Sequence, residues 1–211
     1  MNTMKKFQDL PAILKDKNLD EVFIIGAAPS ICNFNLELLD NKNCIFINSS
    51  VILHKLIKPS TSYFVSTDSL ILGWSYFKEA LKCDYLILRD NDRFRSSLDN
   101  VWYFECDDDY EAVKNNNSNF IAGFSSMIAA IHIFSKLKSK KINIVGFDAC
   151  LSVDGYMYFW QKCFTDIKPF FISNRNLIST DDNDSQRKNW NLQKSFMNDI
   201  LTYNDIEVIY H

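Results

Sequence analysis

The sequence is poor in glycine, with 5 residues in a chain of 211. The few that remain are expected at backbone positions where a side chain would not fit. It has no excess of positive charge. Against 23 Lys and Arg stand 26 Asp and Glu, leaving a net charge of −3, so a nucleic-acid partner is not implied. It lacks long apolar runs. The longest, such as INIVGF, fall far short of the ~20 residues a helical membrane span needs. The first residues, MNTMKKFQDLPAILKDKN, contain no apolar core of the signal-peptide kind. A cytoplasmic location is therefore expected. Finally, there is no CxxC pair. Six cysteines are scattered at 32, 44, 83, 106, 150 and 163, with no histidine close enough in sequence to suggest zinc. Reduced, mostly buried thiols and no metal are the expectation.

What is present is an ordinary folded composition, 47% apolar and 23% charged. The length suits one domain, 1–211, with an appendage. Short apolar runs predict strands at Val22–Ile25, Cys44–Asn48, Tyr63–Ser66, Tyr85–Leu88, Val101–Phe104, Ile142–Val145 and Glu207–Tyr210. Several are apolar throughout, as strands buried on both faces are. Helical spacing predicts helices at Asn35–Leu39, Ser50–Ile57, Ser75–Lys82, Phe124–Leu137 and Lys188–Leu201. Lysines 136, 138, 140 and 141 load the end of the fourth, where positive charge suits the helix dipole. The alternation argues for an α/β layered fold with a mostly parallel sheet flanked by helices. A small aromatic-rich insertion is expected after residue 148, with 149–190 as a lid. Within it, 174–189 (NRNLISTDDNDSQRKN) reads either as a disordered loop or as a mobile cover beside a site.

In such a sheet, ligands bind at the carboxyl ends of the strands. The first strand ends in Gly26-Ala27-Ala28-Pro29-Ser30. This is no GxGxxG fingerprint. A turn of small residues still lets a phosphate reach backbone N–H groups, with Ser30 adding a hydroxyl; the plainer reading makes Ser30 a helix cap. The second strand ends in Asn48-Ser49-Ser50, where an amide can read a base or a ribose or simply cap the next helix. The third ends in Ser66-Thr67-Asp68. Gly123 precedes Ser125 and Ser126 at a helix start, and the following strand delivers Gly146 and Asp148. Asp154-Gly155 reads as a turn, followed by Tyr156, Tyr158, Phe159 and Trp160. Those aromatics either stack on a ring and contact a phosphate or form the core of a small subdomain.

Taken in order, IIGAAPS, INSS, STD and GFSSMIAA…INIVGFD resemble the Rossmann-like family of bacterial sialyltransferases, glycosyltransferase family 42. The run is also similar to the related domain of motility-associated-factor proteins of flagellin glycosylation and to archaeal pterin pyrophosphokinases. The resemblance spans roughly Val22 to Asp148. It implies transfer of an acidic, sialic-acid-like nine-carbon sugar from a CMP-sugar donor to a surface glycan acceptor, without metal or other cofactor. On that resemblance Gly26, Ala27, Ala28, Pro29, Ser30, Asn48, Ser49 and Thr67 would line the nucleotide site. Ser125, Ser126, Gly146 and Asp148 would meet phosphate or sugar, and Tyr156 and Tyr158 would support the departing phosphate. Peripheral membrane association and homo-oligomerisation are compatible with this reading.

The sequence departs from the family in two places. Ala28 and Ala27 stand where the family has its second glycine and the sialyltransferases an asparagine. Residues 149–210 hold no histidine, whereas the family has its catalytic base there. Asp68 or Asp154 is the substitute expected here, as carboxylates serve other glycosyl transfers. His132 is expected in the core and His211 at a frayed end. Two other readings stay open. One is a metal-dependent nucleotide- or diphosphate-transferring enzyme holding Mg2+ on Asp68 and Asp148. The other is a nucleotide-binding module without catalysis.

Overall fold

The computed structural model describes residues 5–15, 17–68, 70–90, 98–107, 121–122, 125–148, 155–156, 158–167, 169, 191, 193, 195, 197–198 and 206–211. Asp154, Gly123, Cys150 and most of 149–190 lie outside them; of the predicted Lys188–Leu201 helix, residues 191, 193, 195, 197 and 198 are described, and all five are helical. Strands β1 (Glu21–Ile25), β2 (Asn43–Ile47), β3 (Thr61–Ser66), β4 (Tyr85–Arg89) and β5 (Val101–Phe104) come first. Two-residue strands β6 (Cys106–Asp107) and β7 (Ile121–Ala122) pair with each other, apart from the main sheet among the described residues. Then follow β8 (Lys141–Val145) and β9 (Glu207–Tyr210). The main sheet has seven strands in the order β5-β4-β3-β2-β1-β8-β9, and every pairing is parallel. All seven predicted strands are in it, making this an α/β Rossmann-like sheet.

The burial of the strands explains their composition. Each residue of β3 is buried, and β1, β2 and β8 expose only their first. Side chains alternate between two cores. Val22, Ile24, Ile45, Tyr63, Val65, Ile142 and Ile144 face one layer. Phe23, Ile25, Cys44, Phe46, Phe64 and Val145 face the other. The first layer is closed by helix α1 (Leu10–Ile13) and above all by α3 (Ser126–Lys136), whose residues 126–135 are all buried. Removing one of its buried isoleucines to alanine would cost about 2–5 kcal/mol. The second layer is covered by short pieces: 3-10 segments Pro29–Asn33, Leu36–Leu39 and Asn48–Leu56, and helices α2 (Phe77–Ala80) and α4 (Phe159–Lys162). The 48–56 stretch, expected as an α-helix, is 3-10. Its start is set by Ser50, whose Oγ accepts from Ile47 N at 2.8 Å and donates to Ile25 O at 2.6 Å.

Two expectations are overturned. Cys44 and Cys83 are buried thiols as foreseen, their pKa pushed up to about 12 chiefly by burial. Cys32 and Cys163, however, form a disulfide between positions 131 apart in sequence. The packing of α4 on the 29–33 segment brings them together, and spacing along the chain carries no trace of that. His211 is not frayed. Its N–H donates to Ile144 O at 3.0 Å, its Nε2 lies 3.1 Å from Asn143 Oδ1, and its ring packs on Phe23 and Phe34.

His132 is core, at 3% exposure. Burial, aided by Lys136, lowers its pKa to about 4, and its Nδ1 meets no partner among the described residues. The folded value lies below that of the unfolded chain, so on acidification the unfolded chain takes up the proton first. The stability that the neutral ring carries is present above about pH 6.5 and lost as pH falls toward 4. Between pH 7.5 and 4.5, urea denaturation of wild type should show about 2 kcal/mol more loss than His132→Phe. Equal losses in the two proteins would disprove the assignment.

Candidate functional site

The strand order changes direction at β1, with β2 on one side and β8 on the other. Such a reversal opens a crevice at the carboxyl ends. Two glycines shape it. Gly26 N donates to Val145 O at 2.8 Å and Ala28 N to Gly146 O at 2.9 Å, so the two chain ends run against each other. A Cβ on Gly26 would lie 2.3 Å from Gly146 O. Gly146 has φ +68°, and a Cβ there would meet Ile31 at 2.5 Å. Past this contact, Asp148 turns back and its Oδ2 accepts from Ser30 N at 3.2 Å.

Next to it, β2 is followed by Asn48 with φ +49°, a left-handed conformation that asparagine tolerates better than most residues. Its Oδ1 accepts from Ser66 Oγ at 2.7 Å and from Ser126 Oγ at 3.2 Å. Ser126 Oγ in turn accepts from Thr67 N at 2.9 Å and lies 3.0 Å from Thr67 Oγ1. Ser66 Oγ also accepts from Asp68 N at 3.1 Å. With both hydroxyls spent on Oδ1, the donor end of the Asn48 amide is left for the crevice. Ser125 caps α3, its side chain accepting from Ile128 N at 3.2 Å. Ser125 thus caps the helix start, Ser126 ties it to Thr67 and Asn48, and both serines line the crevice.

The outer wall is aromatic. Asp68 accepts from Leu70 N at 2.7 Å and from Trp74 Nε1 at 3.1 Å, which pins the indole. Trp74 stacks on Tyr76 at 5.8 Å, and Tyr158 on Trp160 at 4.3 Å. The Tyr76 hydroxyl is pushed to a higher pKa, first by burial and then by the negative charge of Asp68 and the neighbouring Tyr158. It remains a neutral O–H.

These groups enclose a cavity of about 480 Å³. Its lining includes Gly26, Ala27, Ala28, Asn48, Ser49, Asp68, Ser125, Ser126, Gly146, Asp148 and Tyr158 from the sequence reading. Pro29, Ser30, Thr67 and Tyr156 do not line it. Pro29 is buried at the first position of its 3-10 turn. Ser30 meets Asp148 through its N–H, and its Oγ is buried without a partner among the described residues. Thr67 stands behind Ser126. Tyr156 is 37% exposed. Asp154 lies outside the described residues. Trp160, one of the aromatics noted after Asp154-Gly155, lines it as well, and Trp74, Tyr76, Met127, Phe147, Pro169 and Gln193 line it without having been singled out. For Trp74 and Tyr76 a signal existed: two aromatics at i and i+2, a few residues beyond Asp68, in a segment short of strand pattern. Among the described lining residues no side chain is cationic, and no group of three or more His, Cys, Asp or Glu gathers for a metal among the described residues.

Gly26→Ala should lower stability by about 1–3 kcal/mol in urea denaturation, because the new methyl meets a backbone carbonyl rather than a movable side chain. A neutral result would mean that the β1–β8 junction has slack. No protein-family model matches the sequence, and a search of curated proteins returns no match.

Proposed function

We propose that the chain is a glycosyltransferase that takes an acidic nine-carbon sugar from a CMP-sugar and passes it to a hydroxyl of a surface glycan. The observation that carries this reading is the convergence of four strand ends and the α3 start on one cavity, lined by an Asn48 whose Oδ1 is held by Ser66 and Ser126. The motif order noted above supplies the identity of the donor. In this reading the phosphate lies at the α3 start, where unpaired N–H groups and the helix dipole offset its charge without a cationic side chain. The aromatic wall, with the neutral hydroxyl of Tyr76 and the ring of Tyr158, takes the departing CMP or the sugar rings. Asp68 serves as base. Trp74 and Leu70 occupy one lone pair on each of its oxygens and fix its orientation, and a further lone pair stays free for the acceptor hydroxyl. As that hydroxyl loses its proton to Asp68, its oxygen attacks the anomeric carbon. The bond to the CMP phosphate oxygen breaks, with inversion.

A second reading has one observation in its favour: the two carboxylates of Asp68 and Asp148 line the same cavity. With phosphate oxygens and water they would complete a Mg2+ site for a nucleotide- or diphosphate-transferring enzyme. Metal dependence separates the two. Calorimetry with CMP in the presence of EDTA should show binding to wild type, and Asn48→Ala or Ser126→Ala should weaken it at least 10-fold. Unchanged affinity in both variants removes the nucleotide site from this cavity, and binding or turnover abolished by EDTA transfers the case to the metal enzyme.

A further inference from the structure

We propose that the Cys32–Cys163 bond is a redox-sensitive clamp that fixes the aromatic wall of the cavity against its glycine floor, and that thiol reduction loosens this wall without unfolding the sheet. The proposal does not depend on which ligand the cavity takes. Cys32 belongs to the 3-10 segment Pro29–Asn33, which begins directly after Ala27 and Ala28 of the cavity lining. Cys163 directly follows α4, whose start carries Tyr158 and Trp160 of the opposite wall. The bond therefore ties together two sides of one cavity.

Beside it, the two sides share a hydrophobic core in which Ile31, Phe159 and Trp160 are buried. Phe159 N donates to Ala27 O at 3.0 Å, and the Phe159 ring is buried. These hold the first residue of α4, while the disulfide holds the residue after its last. A four-residue helix has almost no stability of its own, so reduction leaves the Tyr158–Trp160 pair held by packing and hydrogen bonds, with no covalent link to the glycine floor. An acceptor for the freed thiol is already in place: Cys32 Sγ lies 3.7 Å from Phe159 O, within reach of an S–H donor.

Chemical access favours this pair over the buried thiols. Cys32 and Cys163 are each half-buried. Cys44 and Cys83 are enclosed, and burial keeps them protonated and poorly nucleophilic, so neither is placed to attack the bond from within. The reductant is an external thiol or dithiol. Its thiolate attacks one sulfur and the S–S bond breaks, giving a mixed disulfide and one cysteine thiolate. A second thiolate of the reductant displaces the remaining cysteine. Two electrons and two protons pass to the pair, and the reductant leaves as its own disulfide.

The test is hydrogen–deuterium exchange on the full chain, with and without dithiothreitol, after non-reducing peptide mapping. Mapping should recover a peptide that links Cys32 to Cys163. In the reduced protein, amides of 27–34 and 158–164 should exchange at least 10-fold faster, while those of β1, β3 and β8 keep their protection. Cys32→Ser with Cys163→Ser should exchange like the reduced wild type and ignore dithiothreitol. The wild-type comparison stands alone if that variant folds poorly. Absence of the linked peptide after treatment with oxidised glutathione overturns the proposal. So does equal exchange in both states, and so does loss of protection across the whole sheet, which would make the bond a staple of the fold.

Discussion

The structure depends on one close approach, that of Gly26 to Gly146 at the carboxyl ends of β1 and β8. Two adjacent parallel strands must both leave the sheet at this point. They can do so only if their first residues beyond the ladder touch backbone to backbone. A Cβ at either position meets a carbonyl oxygen or Ile31 within 2.6 Å. The pairing Gly26 N to Val145 O and Ala28 N to Gly146 O prolongs the ladder one step past the strands and then releases both chains. The crevice exists because of that release, and a scarce residue type is spent on it.

From this junction the rest of the cavity follows by hydrogen bonding rather than by hydrophobic packing. Asn48 is held in a left-handed turn by hydroxyls from β3 and from α3. Ser126 thus links three elements: it receives the N–H of Thr67, supports the Asn48 amide and stands in the first turn of α3. Small side chains are needed here because the strand ends and the helix start are close enough to share single hydroxyl groups. The opposite wall obeys another rule. Trp74 is fixed by Asp68, and Tyr158 lies flat on Trp160, so a rigid aromatic surface faces a polar one across the cavity. Proteins place such pairs of surfaces around ligands that have both a ring and an anionic or hydroxylated part.

The strands were legible because both faces are buried: runs such as VFII and CIFI tolerate no polar residue in either core, and sequence and structure agree on them to within two residues at each end. The core place of His132 was legible for a similar reason. The 3-10 character of 48–56 was not, since Val51, Ile52 and Leu53 repeat much as they would in an α-helix. The aromatic wall was half legible. Tyr158 was singled out, yet Tyr76 and Trp74 owe their place to the course of the chain after β3, which Asp68 directs through two hydrogen bonds.

The sequence by itself determined the layered α/β sheet, the parallel strands and the polar character of the strand ends, because each of these is a property of a local window. It did not determine which strand ends are neighbours. That Ser126 reaches both Thr67 and Asn48, that Asp148 receives the N–H of Ser30, and that Cys32 finds Cys163 across 131 positions, were decided by tertiary structure alone. Contacts of this kind depend on the order of strands in the sheet, and a single chain written as a line does not contain that order.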